Sequence, residues 1–268
     1  MKKYKKLLLV ISMLSAPVLI QAQNISTVAP PAPGTSDSLS SNVYISINGG
    51  VSFPNGNVGS GFLSPYGGST GGYSLMGATG NISVYVPIKH ACFGIAGTAG
   101  YNTNPFDITK VVSDLNTAYY RYGNPFTYQA GSIGSGKEYN AMVGVYGSVA
   151  LNKLSFYVSI LGGVVYCKSP EIIYSYGDGS PYQTLATLDD KSATATSFGC
   201  ALNFSLRYAI TRHFNANLNA GFVFSSPKFT FEQYVNNGST STDNGTYTAS
   251  TPISCLSLGL GIGYEFGK

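Results

Sequence analysis

The chain has 268 residues, of which only 10% are Asp, Glu, Lys or Arg, alongside 33 glycines, 21 tyrosines and 14 phenylalanines. Its hydrophobic fraction of 44% argues against wholesale disorder, which requires low hydrophobicity and high net charge. The sequence contains no apolar run of roughly eighteen residues, which excludes a helical membrane protein. A charge-poor chain rich in glycine and aromatics favours β structure.

The first 22 residues are expected to form a signal peptide. Four lysines within Met1–Lys6 precede the apolar run from Leu7 to Ile20, and Ala22 supplies a small residue for cleavage. The alternative is an N-terminal membrane anchor, for which the run is short. Cleavage would remove four of the 15 basic residues and none of the 11 acidic ones, which leaves a formal net charge of zero. We therefore expect no basic surface for nucleic acid.

Residues 23–41 are expected to be a flexible periplasmic linker. The segment QNISTVAPPAPGTSDSLSS is dominated by Pro, Ser and Thr and has no hydrophobic period. The alternative is that it packs on the domain that follows. That domain is predicted to span residues 42–268.

Eight segments of this domain alternate between bulky apolar residues and small polar ones. Such a period of two is typical of strands whose two faces meet different surroundings. The last segment alternates most regularly, with Leu256, Leu258, Leu260, Ile262, Tyr264 and Phe266 on one face and Ser257, Gly259, Gly261, Gly263 and Glu265 on the other. Each segment has about the ten residues that a tilted strand needs to cross a bilayer.

The connections between the segments alternate between short and long. The short ones are residues 87–90, 152–153 and 211–213, and the long ones are 54–73, 102–136, 168–191 and 226–250. This pattern predicts an all-β protein, an eight-stranded antiparallel up-and-down transmembrane β-barrel with short periplasmic turns and long extracellular loops. A secreted soluble barrel or sandwich is the alternative, but the polar face carries too little charge to be its wet surface.

The expected signal peptide, the eight segments and the ending GLGIGYEFGK resemble the small outer-membrane barrels related to the OmpA transmembrane domain, OmpX and the opacity proteins. The resemblance covers residues 42–268 and implies the outer membrane of a Gram-negative envelope, contact with lipid and lipopolysaccharide, and insertion by the barrel-assembly machinery. Tyr264 and Phe266 would carry the C-terminal assembly signal. In the family the chain usually ends on an aromatic residue, whereas here Gly267 and Lys268 follow.

An eight-stranded barrel has an interior only wide enough to be filled by side chains. The inward parity places Arg207, Glu265, Tyr44, Tyr85 and Tyr157 near the periplasmic rim, where we expect them to plug the lumen. Arg207 and Glu265 are expected to pair with each other or with the tyrosines, since either charge would be costly to bury alone.

The sequence therefore predicts a monomeric surface protein, structural or adhesive, that contacts a host or environmental ligand through its long loops. The alternative is a narrow porin-like channel for small solutes. We expect no enzyme activity and no cofactor, because both histidines, His90 and His213, fall in predicted periplasmic turns.

Two further features allow local predictions. In the second long connection, Ile108, Val111, Val112, Leu115 and Tyr119 have helical spacing after Asp107, a candidate N-cap, which predicts a short helix over the barrel mouth. The four cysteines are expected to be free thiols, with Cys200 facing outward and Cys92, Cys167 and Cys255 facing inward.

Overall fold

The computed structural model describes residues 42–55, 73–88, 91–121, 127–177, 184–236 and 242–266. The expected signal peptide, the linker and His90 lie outside these residues. In chain order the elements are β1 (Tyr44–Asn55), β2 (Gly77–Pro87), β3 (Phe93–Pro105), α1 (Ile108–Arg121), β4 (Thr127–Ile133), β5 (Ser135–Leu151), β6 (Leu154–Lys168), β7 (Ile172–Gly177), β8 (Thr184–Asp190), β9 (Thr194–Ala209), β10 (Phe214–Ser225), β11 (Lys228–Asn236), β12 (Thr242–Ser250) and β13 (Ile253–Glu265).

Eight of the strands form a closed antiparallel barrel in the order β1-β13-β10-β9-β6-β5-β3-β2. The first and last strands close it, with Tyr44 opposite Glu265 and Asn55 opposite Ser254. The eight alternating segments of the sequence are these eight strands, so the predicted fold class is confirmed. We call the end with the short connections the inner end and the opposite end the outer mouth.

The short connection between β5 and β6 is a two-residue turn. Leu151 pairs with Leu154, and Asn152 between them has φ of 56°. Two-residue hairpin turns require left-handed backbone, which asparagine tolerates better than most residues.

The two faces of the barrel wall are the reverse of those in a water-soluble protein. Ile160, Phe198 and Leu260 on the outside are 64%, 71% and 69% exposed, whereas Ser46, Asn48 and Asn217 on the inside are buried. On all eight strands, bulky residues occupy the alternate positions that face outward, as predicted. A continuous apolar exterior of this kind is much larger than the patches that soluble monomers expose.

Three of the long connections contain a second sheet. Its five antiparallel strands lie in the order β12-β11-β8-β7-β4. We call it the surface sheet. The prediction that these segments are loops was wrong, because strands of separate connections pair with each other. Residues 56–72 of the remaining long connection lie outside the described part of the chain.

The helix predicted at the mouth is confirmed as α1. The Asp107 carboxylate accepts a hydrogen bond from the backbone N–H of Lys110 at 3.0 Å, which is the bond of an N-cap. Asn116 fixes the helix to β4, because its side chain accepts from the N–H of Tyr128 at 2.7 Å and donates to the carbonyl of the same residue at 3.1 Å. None of the helices in the described residues has the length and hydropathy to cross a membrane.

Candidate functional site

The five residues predicted to plug the lumen all lie at its inner end. Register places Tyr44 directly between Tyr85 on β2 and Glu265 on β13, so these three side chains enter the lumen at one height. Arg207 and Glu265 are only 4% and 9% exposed.

The Arg207 guanidinium lies against three aromatic rings. Its central carbon is 3.4 Å from the ring centroid of Tyr157, 3.5 Å from that of Tyr44 and 4.2 Å from that of Tyr85. All three distances are within cation–π range. Of its nitrogens, Nε and Nη2 have no hydrogen-bond partner among the described residues. The rings therefore supply much of the electrostatic environment of this buried charge.

Tyr146 completes this cluster and was not predicted. Its ring centroid is 5.2 Å from that of Tyr85 and 5.7 Å from that of Tyr157. The signal was present in the sequence, because Tyr146 has the inward parity of β5. The Tyr44 hydroxyl also donates a hydrogen bond of 2.6 Å to the Asn217 side chain. We call the six residues Tyr44, Tyr85, Tyr146, Tyr157, Arg207 and Glu265 the inner cluster.

The middle of the lumen holds a polar cavity of about 40 Å³. Asparagine side chains project into it, and Asn48 donates a hydrogen bond of 2.9 Å to Asn81. Such a volume has room for about three water molecules. The cavity is thus a small polar space above the inner cluster.

A larger cavity of about 100 Å³ lies at the outer mouth, between the barrel and the surface sheet. We call it the mouth cavity. Its lining includes Phe229, Phe231 and Tyr247 from the sheet, and Glu138 and Cys167 from the barrel. The buried aromatic residues of β11 belong to the same apolar cluster as barrel residues such as Val165 and Leu161. The core of the barrel therefore continues into the surface sheet.

Two buried carboxylates line the mouth cavity. Glu138 accepts hydrogen bonds from the amides of Asn102 at 3.1 Å and Asn140 at 3.2 Å. Asp190, at the end of β8, accepts one from Gln233 at 2.9 Å. Both are less than 10% exposed.

Burial raises the pKa of Asp190 to about 6; the hydrogen bond from Gln233 opposes this shift, and the neighbouring charge of Asp189 adds to it. Lys191 is close in sequence but pairs elsewhere, with Asp189 at 2.7 Å and Glu171 at 2.8 Å. Burial also raises the pKa of Tyr247, and the charge of Asp190 raises it further. The carboxyl of Asp190 is thus held in a weakly solvated position without an ion pair in the described chain.

Tyr264 and Phe266, the predicted assembly signal, lie on the outside of the barrel at the inner end. Their ring centroids are 4.9 Å apart, and Phe214 lies 5.3 Å from Tyr264. His213 stacks on Tyr264 at 5.5 Å, and its Nδ1 is 3.1 Å from the carbonyl oxygen of Glu265. This histidine is a packing residue of the aromatic rim, far from the mouth cavity.

All four cysteines are free thiols, as expected. Cys200 is exposed on the outside, and Cys167 and Cys255 are buried on the inside. Cys92 is exposed at the inner end of the barrel, and its inward orientation stays a prediction. It stands in the turn before Phe93, the first residue of β3, where strand parity does not yet apply.

No family model matches the sequence, and no curated protein matches it either. Solved structures of outer-membrane barrels do match the fold. A major outer membrane protein from Thermus thermophilus matches with 14% identity and a TM-score of 0.43 over 84% of this chain and 99% of its own. Ail, the attachment invasion locus protein of Yersinia pestis, matches with 12% identity and a TM-score of 0.39 over 85% and 100%.

The outer membrane protease OmpT from Escherichia coli matches with 10% identity and a TM-score of 0.45 over 87% of this chain and 99% of its own. These identities and scores are low, and no conclusion about activity follows from them. In its closed eight-stranded antiparallel barrel, the chain is similar to the small outer-membrane barrels that its sequence resembles.

Proposed function

We propose that this protein is an outer-membrane barrel with a closed lumen that acts at the cell surface through its surface sheet. The observation that carries the proposal is the sheet itself, which joins three separate connections at one end of the barrel. A barrel that served as a passage would gain nothing from an ordered sheet across its mouth. A platform for contact with a ligand or another cell requires such order.

The membrane location is supported by the exterior of the barrel. Bulky apolar residues cover its middle, and aromatic residues stand at both ends, including Tyr101, Tyr139 and Tyr166 near the mouth. Aromatic girdles around an apolar band are typical of barrels that span an outer membrane. In this setting Tyr264 and Phe266 would serve the barrel-assembly machinery.

Contact with lipopolysaccharide is supported by two lysines at the outer mouth. Lys137 on β5 and Lys168 on β6 are direct cross-strand partners, and both are exposed on the outward parity. Like charges directly opposite each other destabilise a sheet unless an anion lies between them. Phosphate groups of lipopolysaccharide would supply that anion close to the Tyr139–Tyr166 pair.

A closed lumen is supported by the inner cluster, the small polar cavity and the mouth cavity, which follow one another along the barrel. The protein would then be neither an enzyme nor a pore, and a closed barrel has no free strand edge in its wall to require a partner subunit. We propose a monomer that binds its host or environmental ligand through the exposed face of β11 and β12.

Site-specific labelling of intact cells tests this orientation. A single cysteine is introduced either at Thr230, exposed on the surface sheet, or at Lys153, exposed in the β5–β6 turn, in a chain with Cys92 and Cys200 replaced by alanine. A maleimide that cannot cross membranes should label position 230 on intact cells and position 153 only after lysis. Labelling of both in intact cells, or recovery of the protein in the soluble periplasmic fraction, would overturn the proposal.

The interaction is tested by attachment. Cells that display the wild-type chain are compared with cells whose β11–β12 hairpin is replaced by a short Gly-Ser turn, on surfaces coated with polysaccharide, fibrous protein or a second cell layer. The wild-type cells should adhere to at least one surface and the variant cells should not. Equal attachment of both cell types on every surface would refute a role for the sheet.

A further inference from the structure

The proposed surface function assigns no role to the buried polar groups of the mouth cavity. Its lining is largely apolar and aromatic, yet it includes the buried carboxylates of Glu138 and Asp190. Charged side chains are almost never fully buried unless they are paired. The partners of both carboxylates are neutral amides, from Asn102, Asn140 and Gln233.

The cations near the cavity do not neutralise these charges. Among the described residues, no Lys, Arg or His lies within ion-pair distance of Glu138 or Asp190. Lys137 and Lys168 border the cavity by their position, but they lie on the outward parity and are exposed, opposite to Glu138 and Cys167. Both lysines also belong to the lining, and its buried charges are those of the two carboxylates.

The lining contains a third buried polar group, the hydroxyl of Thr251. The Thr251 side chain is 8% exposed, and its hydroxyl has no hydrogen-bond partner in the described part of the chain. A buried hydroxyl without a partner costs free energy, which a bound group could recover. This hydroxyl can accept a hydrogen bond from an N–H donor.

The aromatic lining is suited to the same kind of ligand. The rings of Phe229, Phe231 and Tyr247 form one group, with centroid separations of 5.7 Å and 5.0 Å. Aromatic rings attract cations, most strongly at sites shielded from water. A metal ion is disfavoured, because the described residues contain no group of three or more His, Cys, Asp or Glu placed to hold one.

We propose that the mouth cavity binds a small organic cation, a primary ammonium on a compact apolar group. The two carboxylates attract the ammonium, which donates to the Thr251 hydroxyl, while the apolar group packs on the rings of the surface sheet. The volume of about 100 Å³ limits the ligand to a few carbon atoms. A neutral molecule leaves both buried carboxylates uncompensated.

The test compares two probes of the same shape. The wild-type protein, refolded in lipid nanodiscs, is titrated with tert-butylammonium and with tert-butanol, and binding is followed by saturation-transfer NMR. The ammonium should bind at least about tenfold more tightly than the alcohol, as expected for a charge-assisted contact. Equal affinities, or no binding of the ammonium, would overturn the proposal.

Three variants identify the site. Glu138→Gln and Asp190→Asn keep the size of each side chain and an oxygen that accepts the existing amide bond, so each should weaken ammonium binding about tenfold and leave tert-butanol unaffected. Glu232→Gln removes an exposed carboxylate outside the cavity and should change neither. Asp190→Asn removes a buried charge, so it should fold at least as well as the wild type. If Asp190→Asn folds and retains wild-type ammonium affinity, the cavity is not the site.

Discussion

Arg207 shows how aromatic rings can surround one buried charge. The guanidinium lies within about 4 Å of three tyrosine rings that enter the lumen from different strands. Each cation–π contact in a shielded site contributes up to about 2 kcal/mol. The rings and the cation together occupy the inner end of a lumen that is narrow in any eight-stranded barrel.

Replacing Arg207 by alanine should destabilise the barrel. We expect the free energy of unfolding to fall by about 3 kcal/mol, because three rings lose their cation and the buried Glu265 loses a nearby positive charge. Urea unfolding in detergent micelles, followed by tyrosine fluorescence, measures the change. Arg212→Ala, at an exposed turn position, should shift the midpoint very little. An unchanged midpoint for Arg207→Ala would refute a structural role for the inner cluster.

The raised pKa of Asp190 predicts that the stability of the protein depends on pH. Its folded-state pKa of about 6 lies above its ordinary value of 3.8, so ionisation is harder in the folded protein. Protonated Asp190 therefore stabilises the folded protein below about pH 4. This contribution to the free energy of unfolding, about 2 to 3 kcal/mol, is lost as the pH rises through 6.

The variant Asp190→Asn should therefore stabilise the surface sheet at about pH 8 and have little effect at about pH 4. Protection of the β8 and β11 amides from hydrogen exchange is the measurement. Asp189→Asn is the matched control, since Asp189 pairs with Lys191 and its loss should bring no gain at either pH. Equal effects of Asp190→Asn at both pH values would contradict the assignment.

For single residues, the sequence predicted which face of a strand a side chain occupies better than which side chains touch. Strand parity correctly turned all five plug residues inward, because a period of two leaves only two choices at each position. Parity does not state which inward side chains touch, and Tyr146 was missed for that reason.

Among the elements, the surface sheet is the one that the sequence did not predict. The segment KFTFEQYVN of β11 does alternate, with Phe229 and Phe231 buried and Lys228, Thr230 and Glu232 exposed. Its partner β12, TDNGTYTAS, is largely polar, and Tyr247 and Ala249 alone are too few to indicate an apolar face. Such a strand forms because its neighbour supplies hydrogen bonds and a buried surface, and local sequence contains neither.

The barrel should assemble without the β11–β12 hairpin. Replacing residues 228–250 by a short Gly-Ser turn removes the burial of two phenylalanines, at about 2 kcal/mol each, and changes loop closure entropy only slightly. The eight barrel strands keep every one of their ladders. Circular dichroism and resistance of the barrel to protease measure assembly. An unfolded or aggregated product would mean that the sheet is part of the folding core.

The helix at the mouth depends on its cap. Asp107→Ala should destabilise the first turn of α1 by about 1 kcal/mol, since the N–H of Lys110 loses its acceptor. Asp107→Asn keeps an acceptor and should behave like the wild type. Hydrogen exchange of residues 108–112 reports the difference, and equal protection in both variants would show that packing on β4 alone holds the helix.

In the molecule as a whole, polar side chains line the middle of the lumen and apolar side chains cover the outside of the barrel. The alternation and the connection lengths predicted this arrangement. Lipid requires apolar side chains on the outward face of each strand, whereas the narrow lumen requires small polar side chains on the inward face. The surface sheet at the outer mouth could not be predicted, since it depends on pairing between connections that are distant in sequence.

The proposed function requires a barrel that is closed and acts through its surface. Single-channel recording of the purified protein in planar lipid bilayers tests it most directly, with a porin as the positive control and Arg207→Ala as a second sample. The wild type should show no stable conductance, and the variant should also stay closed, because three tyrosine rings and the surface sheet remain in place. Stable stepwise conductance of the wild-type protein would contradict the proposal of a closed lumen and establish the lumen as a pore.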